Sequence, residues 1–179
     1  MGIRLTAVLP VIVLAALGGT LAIGLTHDPK TIPSMLIDRK VPDFKLPPLL
    51  SGQPALDSTM LPNRGLVLIN VFSSWCSGCR LEHPYLMEKT KDKRFLLVGL
   101  NWKDNPENAR NFIATYGNPF AEIGSDPTGR VGIDLGVTGV PETFVLDSKG
   151  RVRLRVPGPM TPEIWKIEIE PLIEKERRS

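Results

Sequence analysis

LVLINVFSSWCSGCRLEHP, residues 66–84, is the stretch on which the fold turns. Leu66 to Phe72 is an apolar run rich in β-branched residues, the pattern of a strand buried on both faces. Cys79 to about Lys93 then reads as a helix, with Leu81, Tyr85, Leu86 and Met87 turned inward and Pro84 kinking it. Between the two lies Trp75-Cys76-Ser77-Gly78-Cys79, which holds the only two cysteines of the chain.

The location of those cysteines matters more than their spacing. Free backbone N–H groups and the macrodipole favour negative charge at a helix N-terminus, and so stabilise a thiolate. Cys76 is expected at or just before the first helical turn and exposed. Cys79 is expected a turn further in, on the same side and within disulfide reach. One sulfur then attacks a partner's disulfide and the other resolves the mixed disulfide, with Cys76 as the attacker. A purely structural disulfide closing so short a loop would stabilise only modestly. Half a zinc site is the other alternative, but there is no second cysteine pair, and the two histidines, His27 and His83, leave little material for a His-based centre.

Outward from this centre, strand and helix patterns alternate. Val41 to Leu46 reads as a short edge strand ending at Pro47-Pro48. Phe95 to Leu100 (FLLVGL) is a second buried strand. Pro106 to Tyr116 is a helix with proline near its first turn and Phe112 and Ile113 inward, and Gly129 to Leu135 is a further short helix. Thr143 to Leu146 and Arg151 to Val156 flank the turn Asp147-Ser148-Lys149-Gly150 as a hairpin. Thr161-Pro162-Glu163 opens a last helix that runs to about Arg177. The order predicts an α/β architecture, a mixed sheet flanked by helices.

The chain opens differently. Leu5 to Leu25 holds no charged residue, enough to cross a hydrocarbon core of ~30 Å as a helix. Met1 and Arg4 favour keeping that end in the cytoplasm and exporting the rest. The rival is a cleaved signal peptide, with small residues at Ala16-Leu17-Gly18 or Gly18-Gly19-Thr20. The expected division is residues 1–25 as a membrane anchor or uncleaved signal, 26–40 as a polar, proline-bearing tether, and 41–179 as the domain. In the 179 residues, 22 basic side chains stand against 19 acidic ones, so the net charge of +3 does not point to nucleic acid.

Asn70 to Pro84 (NVFSSWCSGCRLEHP) resembles the active-site segment of the thioredoxin superfamily, and Gly136 to Phe144 (GVTGVPETF) resembles its cis-proline loop. With Asn101-Trp102-Lys103-Asp104 and Gly158-Pro159-Met160-Thr161, the chain is similar over residues 38–170 to the membrane-anchored DsbE/CcmG family, thiol:disulfide interchange proteins of cytochrome c biogenesis. One departure is Ser77-Gly78, where relatives often carry a proline. The resemblance implies a thioredoxin-like fold with a cis Val140–Pro141 bond, whose backbone is offered to an extended client peptide. Pro141 and Glu82 join Cys76 and Cys79 as catalytic candidates, Glu82 either tuning the thiols or simply favouring the helix dipole. Trp75, Val140 and Glu142 are candidate client contacts, with Glu82 and Glu142 making the groove acidic. His83 is read as a surface or capping residue, Arg80 as solvated, and residues 101–104 receive no chemistry.

The implied activity is that of a reductant with no metal or organic cofactor. It is expected as a single-pass protein of the inner membrane with its domain in the periplasm, and as a monomer. Its clients would be apocytochrome c or a thiol-bearing cytochrome assembly protein, and its electron donor a membrane protein of the CcdA/DsbD type. The rivals are a general periplasmic disulfide reductase or oxidase with another client, and a non-catalytic thioredoxin-fold chaperone module. The presence of both cysteines argues against the chaperone module.

Overall fold

A computed structural model describes residues 5–25 and 35–178. These fall into two compact units, described over residues 5–25 and 35–178. In the first, α1 (Leu5–Leu25) is a helix with Pro10 inside it. Its described side chains include Leu9, Ile12, Val13, Leu14, Leu17 and Leu21, all exposed. Among the described residues, which in α1 include the side chains of 9, 10 and 12–21, no helix is long and apolar enough to cross a membrane. Most of the expected tether, residues 26–34, lies outside the described residues, as do the flanking Met1 and Arg4.

In the second unit the quoted stretch supplies the central strand. β3 (Leu66–Phe72) is buried along its whole length and lies in the middle of a five-stranded sheet of order β5-β4-β3-β6-β7. It pairs in parallel with β4 (Phe95–Trp102), which pairs in parallel with β5 (Ile123–Asp126). On its other side it runs antiparallel to β6 (Glu142–Leu146), which forms a hairpin with β7 (Val152–Pro157). The crossover helices are α2 (Ser77–Lys89) and α3 (Pro106–Tyr116), as parallel neighbours require.

Period-two alternation splits β3 between two cores. Leu66, Leu68 and Phe72 pack with Leu86 of α2, Phe112 and Ile113 of α3, and Trp165 and Ile169 near the C-terminus. Val67, Ile69 and Val71 pack with Leu100, Leu135 and Phe144 on the opposite face. That second face also holds the small antiparallel pair β1 (Lys45–Leu46) and β2 (Leu56–Asp57). It packs so closely on β5 that a Cβ on Gly124 would stand 2.8 Å from that of Leu46. α4 (Arg130–Asp134) begins after Gly129, whose φ of 75° is the left-handed turn that glycine allows.

Several boundaries differ from the sequence reading. β5 was not expected, because Ile-Gly-Ser-Asp carries little strand signal. Of the expected 41–46 strand only Lys45–Leu46 is strand, while Val41 N donates to Gly150 O at 2.9 Å. α2 starts at Ser77 and ends at Lys89, and Leu81 is 79% exposed rather than inward. The last helix is built of α5 (Pro162–Ile164), a π-turn over Trp165–Ile169, and α6 (Glu170–Arg177). Pro171 has no N–H to give to the preceding turn, a physical reason for its widening there. Residues 37–40, assigned to the tether by sequence, instead pair with the hairpin: Asp38 N donates to Val152 O at 2.8 Å and Val152 N to Arg39 O at 2.9 Å.

Candidate active site

The carboxyl end of β3 delivers the chain through Phe72 to Trp75 into the start of α2. Cys76 is the N-cap of that helix, with extended backbone, and its Sγ accepts from Cys79 N at 3.0 Å. The two cysteines form a disulfide with Cα atoms 5.3 Å apart. Cys79 is buried as expected, but Cys76 is buried too, at 4% exposure. The expected exposure of Cys76 is therefore corrected for this disulfide form. Both sulfurs pack in the cluster that holds Phe72 and Met160, with Val140 against it.

Two prolines close over the dipeptide between the cysteines. A Cβ on Gly78 would lie 2.9 Å from Pro141 Cδ and 3.4 Å from Pro159 Cγ. That crowding gives the Ser77-Gly78 departure a steric reason, since any side chain at 78 would push Pro141. The Val140–Pro141 bond is cis, and Pro141 O accepts from Gly158 N at 2.9 Å. The segment 158–160 thus meets both the dipeptide and the cis-proline loop.

Its next residue reaches a third group. Met160 N donates to Glu82 Oε2 at 2.6 Å, and Asn70 Nδ2 donates to Glu82 Oε1 at 2.8 Å. Glu82 follows Cys79 by three residues on α2, hence on the same face, and is 3% exposed. Burial pushes its pKa up to about 7, against the pull of those two hydrogen bonds. A carboxyl group that titrates near neutrality can take or give a proton beside the thiols.

Glu142 is placed differently from the expectation. It is 1% exposed and its carboxylate faces inward, ion-paired with the Arg155 guanidinium, which is itself 8% exposed. Thr138 N and Oγ1 also donate to it, at 3.3 and 3.4 Å. Neither Glu82 nor Glu142 presents charge to solvent, so the acidic groove expected of them is corrected. Position 142 lies beside Val71 in the sheet, and a strand residue there points its side chain to one face only.

Trp75 is 59% exposed, and its Nε1 donates to Lys103 O at 3.1 Å. Val140 is half-buried, directly before Pro141 in the chain. Arg80 lies on the exposed side of α2, 5.7 Å from the Tyr116 ring centroid. His83 is buried rather than on the surface: its Nε2–H donates to Gly117 O at 2.9 Å, and the Phe112 ring stands edge-on to it. Burial holds its pKa below the ordinary histidine value. Sequence reasoning did not single out Asn70 or Arg155. A lone polar residue inside LVLINVF was the available signal for Asn70; nothing local marked Arg155.

Comparison with known proteins agrees with this arrangement. Residues 37–169 match the Redoxin family. The chain is 37% identical over 166 residues to the thiol:disulfide interchange protein HelX of Rhodobacter capsulatus, covering 92% of this chain and 93% of that protein. It is 37% identical over 169 residues to the thiol:disulfide interchange protein DsbE of Allochromatium vinosum, covering 94% and 93%. The crystal structure of a candidate DsbE from Chlorobium tepidum superposes with a TM-score of 0.65 at 27% identity, covering 76% of this chain and 94% of that one.

Proposed function

This chain belongs to the DsbE family of thiol:disulfide interchange proteins, within the redoxins, and from that membership we propose that it reduces disulfides on the cytochrome c assembly line. It is a thiol–disulfide oxidoreductase whose Cys76–Cys79 pair holds both electrons. The observation that carries the reading is the pair itself, at the N-terminus of α2, under a cis Val140–Pro141 bond and in front of a buried Glu82.

In the reduced protein the Cys76 thiolate attacks one sulfur of the client disulfide and expels the other as a thiolate, leaving a mixed disulfide. Cys79 gives its proton to Glu82, attacks Cys76 Sγ and releases the client's second sulfur. The client gains two electrons, and the protein is left with the Cys76–Cys79 disulfide. A membrane electron donor of the CcdA/DsbD type then restores the dithiol. Pro141 and Val140 border the sulfurs and line the path of an extended client backbone, with exposed Trp75 on the other side. Glu142 serves this loop from behind by pairing with Arg155 rather than by touching the client.

The chain is read as anchored in the inner membrane, with its domain in the periplasm. The uncharged run Leu5–Leu25 and the exposed apolar side chains of α1 support this, since a helix apolar all round needs a non-aqueous surrounding. Apocytochrome c, or a thiol-bearing assembly protein, is the client. The test compares the reduced protein acting on a disulfide-bonded Cys-x-x-Cys-His peptide and on insulin. Much faster reduction of the peptide is expected; equal rates would favour a general reductase.

A further inference from the structure

Residues 101–104 received no chemistry from the sequence, yet they hold the loop that delivers the nucleophile. β3 and β4 end side by side, with Phe72 opposite Asn101, so the residues that follow each strand leave the sheet as neighbours. Ser73 Oγ donates to Trp102 O at 2.5 Å, and Trp75 Nε1 donates to Lys103 O. Asp104 grips the residue between them: it accepts from Ser74 N at 2.6 Å and from Ser74 Oγ at 2.7 Å. Asn101 Nδ2 supplies a third donor at 2.9 Å. Asp104 is only 6% exposed. A carboxyl group taken out of water is costly unless hydrogen-bonded, and two of its three donors belong to Ser74.

We propose that Asp104 is a positioning residue for the attacking thiol: by fixing Ser74 it holds Cys76 in the N-cap position of α2. The proposal rests on the reading of Cys76 as the attacker. The sulfur gains thiolate character only while it sits against the free N–H groups of the first turn, where Cys79 N now meets it. Ser74 stands two residues before Cys76, so slack in this loop moves the sulfur directly. Other ionisable groups of this end include Arg80 and Glu82 on α2, Asp126 opposite Trp102 on β5, Lys103 with its ammonium 4.4 Å from the Trp102 ring centroid, and the Glu142–Arg155 pair behind Pro141. All of them are left intact by the variants below.

The reduced full-length protein is alkylated with iodoacetamide across a pH series, and the labelled cysteine is identified by mass spectrometry. Asp104→Ala should raise the midpoint of the rate profile by about half to one pH unit, the scale of a lost helix-terminus interaction. Below the midpoint, alkylation then slows about three- to tenfold. Asp104→Asn can still accept from Ser74 N and Asn101 Nδ2 through its oxygen and donate to Ser74 Oγ through its amide. Its midpoint should therefore stay at or slightly below that of the unaltered protein. Ser74→Ala, which keeps the amide contact and loses the hydroxyl, should fall between the unaltered protein and Asp104→Ala. If both Asp104 variants shift downward together, the carboxylate acts only as a charge. If neither moves the midpoint while melting temperature falls, it is only structural, and either result overturns the proposal. Should Asp104→Ala fail to fold, an unchanged midpoint in Ser74→Ala overturns it as well. A label found on Cys79 instead of Cys76 would overturn the reading of the attacker, a separate failure.

Discussion

Glu82 and Glu142 were both visible in the sequence as acids close to the motif, and the structure separates them by what each faces. Glu82 meets only neutral donors, so burial raises its pKa from 4.5 to about 7. A carboxyl group raised on folding favours the folded state while protonated, and that advantage is lost as pH climbs from 4.5 through 7. The oxidised protein should therefore lose roughly 2–3 kcal/mol from this group between pH 5 and pH 8, at about 1.36 kcal/mol for each pH unit by which folding moves the midpoint. His83, whose pKa burial lowers, works the other way below its ordinary value, so the comparison must be with Glu82→Gln at each pH. Urea unfolding should show Glu82→Gln gaining on the unaltered protein at pH 8 and not at pH 5; parallel profiles would contradict the burial account. Glu142 faces Arg155 instead. Glu142→Ala leaves the largely buried Arg155 charge without its counter-ion, held only by Thr138 Oγ1, and should cost about 3–5 kcal/mol, read as a lower urea midpoint. A loss below about 1 kcal/mol would mean the pair is effectively solvated. Spacing showed that both acids lie near the cysteines. It could not show burial, because segment 158–160 and β7, which bury them, arrive from 78 residues and 13 residues away.

At the scale of elements, the sequence was clearest where a pattern is forced by burial on both sides. LVLINVF and FLLVGL read as buried strands, the proline signals of α3 and α5 lie where expected, and Thr161 caps α5 with its Oγ1 accepting from Ile164 N. The cap of α3, Asn105 Oδ1 accepting from Glu107 N, was not singled out. β5 was illegible since it is short and mostly glycine and polar residues; it is a strand because β4 offers it an edge. Leu81 read as inward from its apolar character, although the buried stripe of α2 is Cys79, Glu82, His83 and Leu86, and position 81 falls off it. On the proposed reading, the start of α2 decides which sulfur a client meets. Cys76 is the N-cap and Cys79 a turn inside. Cys79→Ser should consequently trap a mixed disulfide on Cys76, seen as a reducible adduct on a non-reducing gel, and Cys76→Ser should trap little. Equal trapping by the two variants would remove the assignment of attacker and resolver.

For the molecule as a whole, the boundary between tether and domain is where sequence and structure part most usefully. Composition put it at residue 40, because residues 26–40 are polar and hold Pro29 and Pro33. The compact unit that carries the sheet already includes residues before 40, its described part starting at Met35. The difference is physical: β7 is the last strand of the sheet, and its free edge is a template for unwanted pairing. Residues 37–39 cover that edge through two backbone hydrogen bonds with Val152, and Asp38 adds an ion pair with Arg153 at 2.5 Å. A local reading of composition cannot see a cover for a strand more than a hundred residues away. A chain starting at residue 34 should be soluble and form the Cys76–Cys79 disulfide reversibly, with the same equilibrium against glutathione as the full-length protein. A chain starting at residue 41 should be less stable by about 1–3 kcal/mol, the net worth of two backbone hydrogen bonds, and should self-associate through the bared β7. Urea unfolding and sedimentation of the two chains side by side decide it. If the shorter chain is as stable and as monomeric as the longer, residues 35–40 are tether after all and the edge of β7 needs no cover.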